Sequence, residues 1–185
     1  MAAKVLSLAF SSTRSISLGS ESGAAAAFTY TVPNVTGTTI TLGALGSGAG
    51  GQAIASKTGI LVGASGVALT LPEVPQLSLP VNAASNVTNT TPFSWTTHSS
   101  MVYIAYFFGP ANEPIYLVVV GTASTTIPDL TSLGLGLPAS AGYTWYLIMY
   151  GPHASIDAAA GTNGIVPLGD YMAALSSTRT FTTAP

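Results

Sequence analysis

Apolar and small polar residues alternate along much of the chain. Val5-Leu6-Ser7-Leu8-Ala9-Phe10, Phe28-Thr29-Tyr30-Thr31-Val32, Thr39-Ile40-Thr41-Leu42 and Val67-Ala68-Leu69-Thr70-Leu71 each set an apolar face against a Ser/Thr face. That near-two-residue period belongs to strands with one side turned inward. Clusters of Gly, Pro, Asn and Ser punctuate these runs, as turns between short strands do. Helical spacing is almost absent: no window of about a dozen residues keeps apolar positions at i, i+3, i+4 and i+7 without a Gly, Pro or Thr-rich break. Leu168 to Leu175 comes nearest and leaves room for a turn or two of helix.

Past residue 80 the strands turn aromatic and nearly continuous in apolar residues. The change follows Leu71-Pro72-Glu73-Val74-Pro75-Gln76, whose prolines favour an extended connector. The pattern therefore predicts an all-β protein of two tandem β-sandwich domains: 1–73, rich in Ala, Gly, Ser and Thr, and 77–185, which holds both tryptophans. Predicted strands in the second unit are Leu77 to Leu79, Pro92 to Thr96, Met101 to Phe108, Ile115 to Val120, Ser124 to Ile127, Tyr143 to Tyr150 and Arg179 to Thr183. Seven short strands in about 105 residues is the count of an immunoglobulin-like sandwich.

Alternation along Tyr143 to Tyr150 puts Tyr143, Trp145, Leu147 and Met149 on one face and Thr144, Tyr146, Ile148 and Tyr150 on the other. The first face reads as core. The second is too apolar for a bare solvated sheet, so Tyr146, Ile148 and Tyr150 are candidate interface residues, to be covered by a domain, a subunit or a ligand. Val5, Leu6, Leu8 and Phe10, in an alternating terminal strand, are the candidates for pairing with a neighbouring strand.

The order Pro80, Phe93-Ser94-Trp95, Tyr103-Ile104-Ala105-Tyr106, Thr126-Ile127-Pro128-Asp129-Leu130, Leu137-Pro138 and Tyr143-Thr144-Trp145 resembles bacterial fibronectin type III-like domains. The closing Phe181-Thr182-Thr183-Ala184 resembles their last strand in secreted or lipid-anchored surface proteins. The resemblance covers most of 77–185 and implies that Trp95 fills the core between sheets, with Phe93 beside it, and that Tyr143 closes a tyrosine corner after the Leu-Pro turn. Ser124 to Leu137 departs from it, being longer and richer in Leu and Gly. Through Phe28-Thr29-Tyr30-Thr31-Val32-Pro33-Asn34 the first unit more loosely resembles small prealbumin-like sandwiches that precede such domains.

Charge narrows the function. The 185 residues carry 4 basic and 6 acidic side chains and a net charge of -2, where average usage would give roughly 46 charged residues. So few cations cannot build the stripe that phosphate neutralisation needs, which excludes nucleic-acid binding. A hydrophobic fraction of 48% also excludes disorder by composition. Without Cys there is no disulfide framework and no thiolate metal site. Mean hydropathy is +0.52, yet the apolar strands fall far short of the roughly 20 residues of a spanning helix. Val5 to Phe10 is also too short for a signal-peptide core, so Met1 reads as the start of a mature or excised segment.

Candidate chemistry is thin. Gly46-Ser47-Gly48-Ala49-Gly50-Gly51 fits G-x-G-x-x-G, and Gly51 to Thr58 is a P-loop with Ser56 in place of its second Gly, but neither has room for the helix that a phosphate cradle requires. His98 and His153 are the only candidate bases, no G-x-S-x-G elbow exists, and His153 with Asp157 follows Gly151-Pro152, where a loop is expected. Glu21, Glu73, Glu113, Asp129, Asp157 and Asp170 are scattered, without calcium-loop spacing. Asn34, Asn86 and Asn89 open sequons, which matter only in a glycosylating host. No catalytic, cofactor or metal residue is assigned.

The expectation is a non-catalytic structural or interaction module of a bacterial extracellular or cell-surface protein, whose partners are other domains of a longer chain or copies of itself. A self-assembling filament or surface-layer subunit using strand exchange is the first alternative, and a carbohydrate-binding or esterase-type domain the second.

Overall fold

The computed structural model describes residues 2–11, 14–22, 31–32, 34–161, 164–165 and 169–185, the side chains of 2–15 and 21 excepted. The described residues are organised by strands: β1 (Ala2–Ser11), β2 (Arg14–Ser22), β3 (Thr39–Gly48), β4 (Gly51–Ile60), β5 (Leu77–Leu79), β6 (Ala84–Val87), β7 (Phe93–Trp95), β8 (Val102–Phe108), β9 (Tyr116–Val120), β10 (Ser124–Thr125), β11 (Gly142–Gly151), β12 (Tyr171–Ser176) and β13 (Arg179–Thr183). One short helix, α1 (Ile156–Ala159), lies between β11 and β12. Its N-cap is Ser155, whose Oγ accepts from the Ala158 N–H at 3.1 Å. The described residues are otherwise strands and their connections, apart from a 3-10 turn at Thr131–Leu133.

β11 organises the larger sheet. One edge pairs with β8 from Thr144 to Tyr150, and β8 pairs in turn with β9. The other edge is shared, with β12 opposite Ile148 to Gly151 and β13 opposite Gly142 to Trp145. At this fork the Leu147 N–H donates to Ser176 Oγ at 2.9 Å, and that hydroxyl donates to the Ser177 carbonyl at 2.7 Å. A buried serine thus satisfies a backbone group that no strand reaches. β13 pairs in parallel with β6, and β12 pairs with β4, which continues through β3 and β1 to β2.

A smaller sheet, β10-β7-β5, contributes to the same core. Phe93 of β7 meets Phe107, Trp145 and Phe181 of the larger sheet edge-on, with ring centroids 4.7, 5.0 and 5.3 Å away, the geometry that ring quadrupoles favour. Trp95, Tyr103, Leu147 and Met149 complete that core. Arg179 of β13 reaches across to β5, donating to the carbonyls of Leu77, Ser78 and Pro80.

The composition break at 71–76 does not divide the larger sheet. Six residues of β4, Gly51 to Ser56, pair with Ser176 to Tyr171 of β12. The predicted units 1–73 and 77–185 therefore share a sheet where two tandem sandwiches were expected. After a turn at 61–66, residues 67–76 explain the small side chains of the first unit, because this segment crosses the inner face of β3 and β4. A Cβ on Gly46 would lie 2.8 Å from Leu71 Cδ1, and Ala53 and Ala55 are buried. Ile40 and Leu42 pack with Leu18, Val32, Ile60, Val62, Val67 and Leu69, while Leu71 and Val74 reach the aromatic core.

Other expectations are corrected. Tyr171 to Ser176 is strand β12 where a turn of helix was expected within Leu168 to Leu175; Leu168 lies outside the described residues, as do Phe28 to Tyr30 and Pro33. Val67 to Leu71 is extended but joins no ladder, and only Ser124–Thr125 of the predicted fifth strand is paired. Tyr143 makes no corner with the preceding turn. Its hydroxyl donates to the Pro114 carbonyl at 3.3 Å, while the turn is held by Thr183, whose Oγ1 donates to Pro138 O and accepts from the Ala141 N–H.

Candidate functional site

The faces of β11 differ. Tyr143, Trp145, Leu147 and Met149 are at most 1% exposed, and Phe93 and Trp95 are buried opposite them. Thr144, Tyr146, Ile148 and Tyr150 are half-buried on the other side. Paired residues share a face of a sheet. Register therefore extends this outer face to Tyr106 and Phe108 on β8, Leu117 and Val119 on β9, Tyr171 and Leu175 on β12 and Ile54 on β4.

Three rings form its centre. Tyr106 and Tyr146 are directly opposite across β8 and β11, with centroids 5.1 Å apart and planes 13° apart. Phe108 lies 5.7 Å from Tyr146 and 6.0 Å from Tyr106, again nearly parallel to both. Burial pushes the Tyr146 phenol above its ordinary value, with Tyr106 adding to the shift. Tyr150 is raised by burial first and then by Tyr106, Tyr171 and Tyr146. Tyr146 and Tyr150 therefore stay neutral at physiological pH. Beside the rings, Leu117 is 55% exposed and Val119 and Ile54 are each 37% exposed. Under the alternation fixed by register, the outer positions of β9, β8, β11, β12 and β4 include no Asp, Glu, Lys or Arg. α1 stands at one end, with Ile156 beside Gly121 after β9.

The candidate pairing residues Val5, Leu6, Leu8 and Phe10 lie on β1, which is flanked by β2 on one edge and β3 on the other. Its backbone is engaged inside the sheet, and β2, β6 and β9 are the outermost strands among the described residues.

The two histidines are held by other contacts, and Lys57 and Asp170 border the outer face beside Tyr171. His153 Nε2 lies 2.8 Å from the Ile165 carbonyl oxygen. His98 is fixed through its backbone, which bonds the Tyr103 hydroxyl. A cleft of about 240 Å3 between β4 and β12 includes Ser56, Lys57, Asp170 and Tyr171, but Asp170 Oδ1 is taken by the Thr58 N–H at 2.7 Å. The G-x-G-x-x-G segment is the β3–β4 hairpin and the P-loop look-alike is strand β4. Among the described residues no group of three His, Asp or Glu could hold a metal, and no helix is long and apolar enough to cross a membrane.

Sequence reasoning found one strand of the outer face and missed its neighbours. Val102 to Phe108 is apolar on both sides, so alternation there carries no signal, and only the register joins Tyr106 and Phe108 to Tyr146. Compared with protein-family models, curated proteins and solved structures, the chain matches none.

Proposed function

We propose that this chain is a non-catalytic interaction module of a bacterial extracellular or cell-surface protein, built on a fibronectin type III-like sandwich whose sheet is extended by β1 to β4. The likeness is supported by strand placement, with β5, β7 and β10 on one side of a core and β8, β11 and β13 on the other, as in immunoglobulin-like sandwiches. One observation carries the functional reading: an uncharged aromatic face lies on the sheet side away from the core, where hydrophilic residues would otherwise meet water. The near-parallel rings turn faces toward one another, and the sparse polar groups around them favour a protein surface over a sugar as the thing bound.

The test uses dilute folded protein and an apolar dye. Anilinonaphthalene sulfonate fluorescence is expected to rise on binding the native state and to fall with Tyr146→Lys, with near-UV circular dichroism reporting the fold. Absence of binding, or ester turnover that His153→Ala removes, would contradict the reading.

A further inference from the structure

We infer that the outer aromatic face is a homodimer interface on which a second copy of this chain packs sheet to sheet about a two-fold axis. The inference rests on the reading of the chain as an interaction module and names the partner.

Area comes first. Six adjacent strands, β9-β8-β11-β12-β4-β3, span about 29 Å at a spacing of about 4.8 Å. Along β8, seven residues at about 3.4 Å each give about 24 Å. The full face measures about 700 Å2 per copy by these spacings; Val102, Ile104 and Ala173 on it are already buried within the chain, which brings the open part to the lower end of the roughly 600 to 1,000 Å2 per partner of a stable interface. Pairing at an edge would engage five residues on β9 or nine on β2, a single strand in either case against the six of the face.

The chemistry of the face then selects the partner. Its polar side chains are Tyr, Thr and Ser hydroxyls and the Gln52 amide, and each of these both donates and accepts hydrogen bonds. A face of such groups is satisfied by a copy of itself, as an isologous contact demands. It carries no charge by which a differently charged partner would be selected, and two copies meet no like-charge penalty. Two sheets with the same twist also pack readily, at about 30° to each other.

Sedimentation equilibrium over a concentration series tests the inference. Wild type is expected to be a reversible dimer. Tyr146→Lys at the ring cluster and Leu117→Lys at an exposed position, which carries little folding risk, should each weaken it at least about tenfold by setting charges in a desolvated contact. Leu133→Lys, on a turn where the residue is 70% exposed, should leave it unchanged. A wild-type monomer that still binds the dye through this face overturns the dimer and leaves the module reading standing. A dimer indifferent to both lysines on the face also overturns it. His153-dependent turnover would instead strike the reading beneath.

Discussion

Gly51→Ala is expected to pry β4 from β12 and so tests whether the two compositional halves of the chain share a sheet. Gly51 opens β4 with φ +133, and a Cβ built there would overlap the Leu175 carbonyl oxygen across the strand pair. Two costs follow. Holding alanine in a region open almost only to glycine costs about 1 to 3 kcal/mol. Relieving the overlap moves the end of the ladder, where Ser177 N–H donates to Gly50 O at 2.9 Å, and loss of one or two such bonds costs about 0.5 to 1.5 kcal/mol each. The total is about 1.5 to 6 kcal/mol, and at about 2 to 4 °C per kcal/mol for a chain of this size Tm should fall by about 3 to 24 °C. Gly48→Ala is the control, because a Cβ there meets nothing within 4 Å and should cost no more than about 0.5 kcal/mol. Scanning calorimetry of both variants decides the matter. Equal melting of Gly51→Ala and Gly48→Ala would refute the β4–β12 pairing, and with it the single sheet.

Three further outcomes are expected. Arg179→Met leaves the Leu77, Ser78 and Pro80 carbonyls without their shared cation and should cost about 2 to 3 kcal/mol in urea denaturation; Arg179→Lys should recover only part, because an ammonium lacks the guanidinium fork. Burial raises the phenols of Tyr103, Tyr116 and Tyr143, so their neutral forms are favoured in the folded state. Stability should therefore hold below pH about 10 and fall as pH climbs toward the raised folded values, with a shallower fall in Tyr143→Phe when urea midpoints are compared at alkaline pH. Ser155→Ala removes the cap of α1 and should cost about 1 kcal/mol, read as faster amide exchange at Ala158 with little change in Tm.

Legibility varied with what each residue pattern encodes. The faces of β11 were readable because every second residue from Tyr143 to Met149 is buried. Pairing was not, because the period of a strand says which side is buried and nothing about its neighbour. Gly46, Ala53 and Ala55 look like low-complexity filler, yet their size suits the crossing of Leu71. Val67 to Leu71 alternates because one of its sides packs on Ile40 and Leu42, and it does so without a ladder. Leu168, Tyr171, Met172 and Leu175 have helical spacing, but β12 is held as a strand between β4 and β11. The candidate site was visible only as Tyr146, Ile148 and Tyr150; its other half comes from strands brought alongside by the fold.

Hydroxyl-radical footprinting of the wild-type protein across a concentration series tests the outer face as a working surface most directly. Oxidation of Tyr106, Tyr146 and Leu117 is expected to fall as concentration rises, while oxidation of Leu133 stays constant. Equal oxidation of these residues at every concentration would contradict the account.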